Sequence, residues 1–490
     1  MSKYTLTFAF ICRIIVLLLK EDFMEYLSIH DMSKKWNIKE RKLTAFCRDN
    51  RIEGAKKIGK EWMIPSDSIK PLDKRTKGFE NFKFEYNESI TTIPFSESNS
   101  EIRLFYAFED KYNIKPSYSS FTPYRLCPLG AHVDHNLGKV TGFAIDKGIH
   151  IVYDINNNGI VELESLQFSK KVQWHILYAP PKKVNDWADP LRGATIELNN
   201  RYPLRYGISA IIDGELPIGG LSSSSSLIIT FINAIAFINH IKLSENELLE
   251  ISEYAEKNYL GSENGKLNQM CEIHSQKNKL LYVDMIDNSY KLIDTPSNMK
   301  YVIGVFFSGI EKGIDSEEYN KRTDELRSAA YLLKALSKEQ YTRFSKTNMR
   351  DIPYDAYLKY KSKLPIAYQK RAEHFYEEID RVEKGISFYE KGDIESFGKL
   401  VTASGDSSII NWETGSKEMI DLFNIIKSCD GVYGTRFSGS GFKGSCIAFI
   451  DPNKKEEAFR KIEEEYINKY PKLKNKYSAH VCNTADGIKI

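Results

Sequence analysis

Hydrophobic and polar positions fall into blocks along the chain, and the period changes from block to block. Tyr4 to Leu19 is an apolar run broken by Arg13. At about sixteen residues it is shorter than the ~20 that span a bilayer, and no small-residue cleavage site follows it. Residues 1–23 therefore read as a mis-assigned start or disordered leader ahead of Met24, with a hydrophobic N-terminal anchor as the alternative. From Tyr26 the period becomes helical: Ser28 caps IHDMSKKW, a turn at Asn37 follows, and KERKLTAFCRDNR turns Leu43 and Phe46 inward. RIEGAKKIGKEWMIP then gives two strand-like runs around Gly59, a hairpin ending at Pro65.

The polar stretch from Asp73 to Ser100 predicts a linker. Beyond it, VTGFAIDKGIHIVYD (Val140 to Asp154) is strand-like, and Ser337 to Thr347 reads as an amphipathic helix. LPIGGLSSSSSLIITFINAIAFIN (Leu216 to Asn239) combines a glycine turn, a serine run and a buried helix. The boundaries that follow are a helix-turn-helix unit over 24–72, a linker over 73–100, and a larger body divided into 101–300 and 301–490.

With 490 residues the chain exceeds one compact core. Its 42% hydrophobic and 28% charged content excludes a wholly disordered, collagen-like or polytopic membrane protein. The net charge of +3 excludes a chain-wide nucleic-acid coat. It conceals a local excess, since ten cations from Lys34 to Lys60 face only Glu40, Asp49, Glu53 and Glu61. Helix, turn, helix and hairpin outline a winged helix-turn-helix, and WNIKERKLTAFCRDNRIEGAKKIGKEWMIP resembles the excisionase-like, MerR-type DNA-binding modules. That resemblance implies DNA as a partner, with Lys39, Arg41, Lys42, Lys56 and Lys57 as contacts; a solvated face on a docking module is the alternative. The seven scattered cysteines, with no C-x-x-C pair, fit reduced thiols and a cytoplasmic location, not disulfides or zinc.

Three segments carry chemistry. Thr122 to Asn136, TPYRLCPLGAHVDHN, gathers an arginine, two histidines and an aspartate in one loop. In LPIGGLSSSSS, Gly219 and Gly220 permit close backbone approach, and the unpaired N–H groups at the helix start suit polyphosphate. Serine hydroxyls there can reach phosphate or magnesium. GVYGTRFSGSGFKGSCIAFI (Gly431 to Ile450) contains G-x-G-x-x-G, but the run after it is a strand and not the helix that a dinucleotide fold requires.

In this order, the three segments resemble the three motifs of the GHMP small-molecule kinases, and their galactokinase branch in particular. CPLGAHVDHN, KRAEHF and GVYGTRFSGSGF are closer still to the plant galacturonokinases. The resemblance runs from about Glu101 to the C-terminus. It implies an α+β fold: a two-lobed GHMP kinase, with a ribosomal-S5-like N-terminal lobe and a ferredoxin-like C-terminal lobe, preceded here by the winged helix-turn-helix. It implies ATP and Mg²⁺ as cofactors.

By that resemblance, His132 and Asp134 hold sugar hydroxyls beside Gly265 and Tyr319, and Arg125 steadies charge near the anomeric hydroxyl. Gly219, Gly220, Leu221, Ser222, Ser223, Ser224, Ser225, Gly439 and Gly441 bind ATP, and Ser224 and Glu256 hold magnesium. Where galactokinases carry a glutamate for the sugar 6-hydroxyl, this chain has Ala131. Its loss removes like-charge repulsion against a C6 carboxylate, so the implied reaction is C1 phosphorylation of D-galacturonate, with galactose second. The family's base aspartate in G-x-x-D-Q is Asn268 here, and an amide cannot take a proton at neutral pH. That substitution sustains an alternative: a weak or inactive kinase body sensing sugar and ATP, and regulating transcription through the N-terminal module. No membrane partner is expected.

Overall fold

A computed structural model describes residues 26–68, apart from 37, 49–51, 53, 60 and 67, and residues 100–488, apart from 169, 218, 311–315 and 341. The leader at 1–23 and nearly all of the stretch expected as a linker lie outside the described residues.

The N-terminal module comprises β1 (Tyr26–Ser28), α1 (Ile29–Trp36), α2 (Glu40–Arg48), β2 (Lys56–Ile58) and β3 (Glu61–Pro65). Ser28 Oγ accepts the Asp31 N–H at 3.1 Å, which satisfies a donor at the start of α1. The two strands flanking Gly59 pair antiparallel, Ile58 opposite Glu61, and β1 joins the far edge of β3. Met32, Trp36, Leu43, Phe46 and Ile64 close a small core. Lys39, Arg41, Lys56 and Lys57 are exposed, whereas Lys42 is half-buried with its ammonium 5.8 Å from the Phe46 ring.

The first lobe of the body is built on an eight-stranded sheet. Seven of its strands are β4 (Tyr118–Leu126), β5 (Lys139–Asn156), β6 (Ile160–Ser165), β7 (Val172–His175), β8 (Gly207–Gly214), β9 (Lys279–Asp284) and β10 (Ser289–Asp294), in the order β10-β9-β5-β8-β6-β7 with β4 on β5; the eighth comes from the end of the chain. The helices are α3 (Ser100–Tyr112), α4 (Asp189–Arg201), α5 (Ser223–Ile238), α6 (Glu245–Glu253) and α7 (Leu267–His274). Helix α5 is apolar on nearly every side, with Ile228, Phe231, Ile232 and Ile235 fully buried, because it runs through the core of the lobe. Truncating Phe231 to alanine would cost about 3–5 kcal/mol through the cavity left behind. Helix α3 opens at Ser100, one residue inside the expected linker.

The second lobe carries β11 (Val302–Phe307), α8 (Ser316–Ser337), α9 (Tyr354–Tyr360), α10 (Ile366–Glu390), α11 (Ile394–Ile410), α12 (Lys417–Ser428), β12 (Val432–Phe437), β13 (Ser445–Ile450), α13 (Lys455–Lys469) and β14 (Ser478–Cys482). Its antiparallel sheet runs β12-β13-β11-β14, the ferredoxin-like order. The chain does not end there: β15 (Thr484–Ala485) returns to pair with β5 of the first lobe. Among the described residues the helix expected from Ser337 to Thr347 is replaced by the end of α8 and a single 3-10 turn at Phe344–Lys346. Lys338 adopts φ +61°, and the Glu339 N–H reaches back to the Lys334 carbonyl at 3.1 Å, so α8 ends where that helix was to begin.

Candidate functional site

The three sequence segments converge on one cavity of about 490 Å³ between the lobes. On the first-lobe side, Gly219 (φ +146°) and Gly220 (φ +80°) bend the chain into Ser222, which caps α5 in the left-handed region at φ +65°. Two contacts require those glycines. A Cβ on Gly219 would come within 2.7 Å of the Gly444 Cα, and one on Gly220 within 2.6 Å of the Ser438 carbonyl oxygen. The second-lobe glycine loop thus lies directly on the phosphate-type loop, fastened by Ser438 Oγ donating to the Gly220 carbonyl at 2.5 Å. Ser222, Ser223 and Ser224 line the cavity, and Ser222 Oγ is buried without a partner among the described residues. Unpaired N–H groups at the start of α5 and free hydroxyls form a phosphate cradle.

Arg125, on β4, enters from the sheet. Its Nε donates to Asn268 Oδ1 at 2.7 Å and its Nη1 to the Gly220 carbonyl at 3.4 Å. Arginine has only donors, so the Asn268 atom facing it must be the amide oxygen. The Asn268 NH₂ is left to donate, and the amide is too weak a base to take a substrate proton.

The sugar-type loop forms the other wall. His132 takes φ +56° and lies parallel to the Trp412 ring at 5.2 Å. Its Nε2 is buried with no partner among the described residues. Asp134 stands so close to Gly265 that any Cβ there would overlap its carboxyl group. Behind the loop, Glu378 of α10 accepts the Gly130 and Ala131 N–H groups at 2.8 and 3.0 Å, and the His374 ring bridges the Ala131 carbonyl (2.9 Å) and Ser407 Oγ (2.9 Å).

Burial sets the electrostatics. It raises the Glu256 carboxyl to about 7, with a 2.8 Å bond from Gln269 and the nearby Arg125 offsetting only part of the effect. Burial lowers His132, and lowers His135 and His374 to about 4, so all three rings are neutral at pH 7. Burial likewise raises the Tyr319 phenol, which keeps it a donor. Burial also opposes ionisation of Glu378, yet Arg381, His374 and Arg436 outweigh it and hold this carboxyl down at about 2.

Among the described residues no group of three or more His, Cys, Asp or Glu side chains is placed to hold a metal ion, so a magnesium ion here would draw most of its ligands from phosphate and water. One buried carboxylate short of cationic partners, Glu256, and one exposed hydroxyl, Ser224, both face the phosphate cradle's cavity. That donor set suits an ion held by one carboxylate, a hydroxyl, waters and substrate phosphates.

Of the predicted residues, Arg125, Ala131, His132, Asp134, Gly219, Gly220, Ser222, Ser223, Ser224, Glu256, Gly265, Asn268, Tyr319 and Gly439 line the cavity. Leu221, Ser225 and Gly441 do not. Leu221 is buried beneath the loop, Ser225 Oγ donates to the buried Glu272 at 2.5 Å, and Gly441 packs against Phe437 and Thr414. Arg436, Phe442 and Lys443 line it too, and sequence reasoning passed over them although they lie inside the third motif. Glu378 and Ser404 fall in the α10 and α11 segments, where the signal was present but had no role attached.

Comparison with known proteins bears on this geometry. Residues 189–276 match the GHMP kinases N terminal domain and residues 384–468 the GHMP kinases C terminal model. A galacturonokinase of Arabidopsis thaliana is 33% identical over 393 residues, covering 75% of this chain and 92% of that protein. A galactokinase of Thermotoga neapolitana is 28% identical over 378 residues, covering 75% and 98%. The crystal structure of Lactococcus lactis galactokinase complexed with galactose superposes with a TM-score of 0.72 at 21% identity, over 80% of this chain and all of that one. No helix among the described residues is long and apolar enough to cross a membrane.

Proposed function

Since the chain belongs to the GHMP kinases, we propose that it transfers the γ-phosphoryl group of ATP to the C1 hydroxyl of a hexuronic acid, D-galacturonate, with galactose the weaker acceptor. The observation that carries the choice of acid is Ala131, whose methyl group lines the cavity where a glutamate would repel a C6 carboxylate. The similarity to a galacturonokinase over most of both chains supports it.

Each group then has a task. The α5 N-terminus and Ser222–Ser224 receive the phosphates, and Asp134, His132 and Tyr319 orient the sugar. Arg125 stabilises charge on the transferring group. Magnesium, held through Ser224 and Glu256, would neutralise phosphate oxygens. As the C1 oxygen bonds to the γ-phosphorus and the bond to ADP breaks, the hydroxyl proton passes to a phosphoryl oxygen, because Asn268 offers a donor and no base. The described cysteines are all free, which supports a reducing compartment such as the cytoplasm.

The test is incubation with Mg-ATP and either galacturonate or galactose, followed by detection of sugar 1-phosphate. Formation of galacturonate 1-phosphate with the higher kcat/KM supports the reading. If neither sugar turns over although both bind, and Asn268→Asp gains activity, the natural protein is a sensor and the kinase reading fails.

A second property has its own observation. Lys39 and Arg41 at the start of α2, and Lys56 and Lys57 on the hairpin, present cations on the surface of a helix-and-wing unit, which supports DNA contact by the full-length enzyme. Charge reversal at Arg41 and Lys57 should abolish salt-sensitive retention of duplex DNA; unchanged retention refutes it.

A further inference from the structure

The cavity contains two arginines, and only Arg125 has a place in phosphoryl transfer. Arg436, on β12, is just 2% exposed and lies among the supports of the sugar loop. Its Nη1 donates to Ser404 Oγ at 3.2 Å. That hydroxyl donates to Glu378 Oε1 at 2.6 Å, and the same oxygen accepts the Ala131 N–H. Arg436 is thus linked to residue 131 through one hydroxyl and one carboxylate, whereas Arg125 is linked to the Gly220 carbonyl of the phosphate cradle.

Arg436 has no carboxylate of its own; it shares Glu378, whose carboxyl its charge helps to hold down, with Arg381. The Arg436 Nε is bonded to the Phe437 carbonyl at 2.8 Å, and among the described residues Arg436 makes no ion pair. The neighbouring carboxylate, Glu378, is already paired with Arg381 at 2.7 Å and accepts two backbone N–H groups. A buried guanidinium that bonds only a hydroxyl and a carbonyl, and shares its nearest carboxylate with a second arginine, can accept a further anion. Beside it, the unpartnered His132 Nε2 lines the same cavity. With Ala131 in place of an acidic side chain, this wall of the cavity leaves an opening for one carboxylate.

We propose that Arg436 pairs with the C6 carboxylate of the bound hexuronic acid, so that the ligand supplies the negative charge that Ala131 cannot. This rests on the uronate-kinase reading. Loss of a hydrogen bond to a charged group corresponds to about 10- to 100-fold in affinity, and the fork of Arg436 suits a planar carboxylate.

The test compares binding of galacturonate and its methyl ester, neutral at C6, to the full chain with a non-hydrolysable ATP analogue and Mg²⁺. Wild type should favour the acid by about 10- to 100-fold, and Arg436→Gln should remove that preference by weakening the acid alone. Nucleotide binding should not change. The pairing is overturned if Arg436→Gln keeps the preference, weakens acid and ester alike, or raises only the nucleotide dissociation constant, which would assign the arginine to phosphate. Should that variant not fold, wild type decides: equal binding of acid and ester overturns the pairing. Failure of the underlying reading looks different, because wild type would then phosphorylate galactose and not galacturonate.

Discussion

Asn268→Asp restores a carboxylate at the place where the kinase branch carries its base. The amide oxygen it replaces sits 2.7 Å from Arg125 Nε, and Arg125 is 7% exposed. Two unit charges about 4 Å apart interact by roughly 4 kcal/mol at an effective dielectric near 20. That lowers the new carboxyl by roughly 3 pH units, since each unit is ~1.4 kcal/mol. A base so depressed is weak, and the gain belongs at the low end of the ~10²–10⁴ typical of general-base help. Pairing also takes charge from Arg125 that otherwise faces the phosphoryl group. Together these give an expected rise in kcat of about 10- to 100-fold, with KM for the sugar nearly unchanged because amide and acid have the same shape. The assay is the initial rate of sugar 1-phosphate formation at saturating Mg-ATP from pH 6 to 9. A depressed carboxyl is ionised throughout that range, so the gain should be flat and vanish only in acid. An equal or slower kcat with sugar and nucleotide binding intact would refute the reasoning, and would mean that the proton leaves by a route that no carboxylate at 268 improves.

Gly265→Ala forces a Cβ into the Asp134 carboxyl group and should lower kcat/KM for the sugar about 100-fold with little change in nucleotide affinity; steady-state kinetics check it. His135 and His374, held near pKa 4 chiefly by burial, are neutral in the folded protein, and their stabilisation is complete above pH 6.5 and falls away as pH drops toward 4. On the order of 2 kcal/mol per ring is lost by pH 5, and buried His132, shifted the same way, adds to it, so the unfolding midpoint should fall between pH 7 and 5, and His374→Gln should remove about a third of that slope. Glu256→Gln should weaken the Mg²⁺ dependence of the rate by at least about 10-fold while leaving sugar binding in the absence of nucleotide unchanged; a magnesium titration of wild type and variant decides it.

Local chemistry was legible in the chain. The glycine turn before the serine run needs no distant partner to be recognised, and neither does the strand after Gly444 that excludes a dinucleotide fold. Lys39 to Lys57 likewise showed their charge excess as sequence neighbours. Pairings over long separations were not legible. Glu378 and Ala131 are 247 residues apart, and nothing in KRAEHFYEEIDR says that its last glutamate will hold the backbone of a loop in the other lobe. Leu221, Ser225 and Gly441 lie off the cavity for a related reason: a motif string assigns one role to all its letters, while the turn of a helix or loop points each in a different direction. The false helix after Ser337 had acceptable periodicity, but periodicity carries no information about a residue taking a left-handed conformation at its start.

Residues 483 to 488 come after the entire second lobe in sequence, yet their partners belong to the first. The Asn483 amide donates to Asp146 at 2.8 Å, Asp486 accepts the Lys277 N–H at 2.8 Å, and the Gly487 and Ile488 N–H groups reach the Ser275 and Glu272 carbonyls at 2.8 and 2.7 Å. During synthesis the first lobe emerges from the ribosome well before these residues do. The edge of β5 and the surface behind α7 therefore receive these partners only once nearly the whole polypeptide has been made. Topologically the second lobe is an insertion within the first, and a nascent chain cannot complete a competent phosphate site while its other half is still being translated.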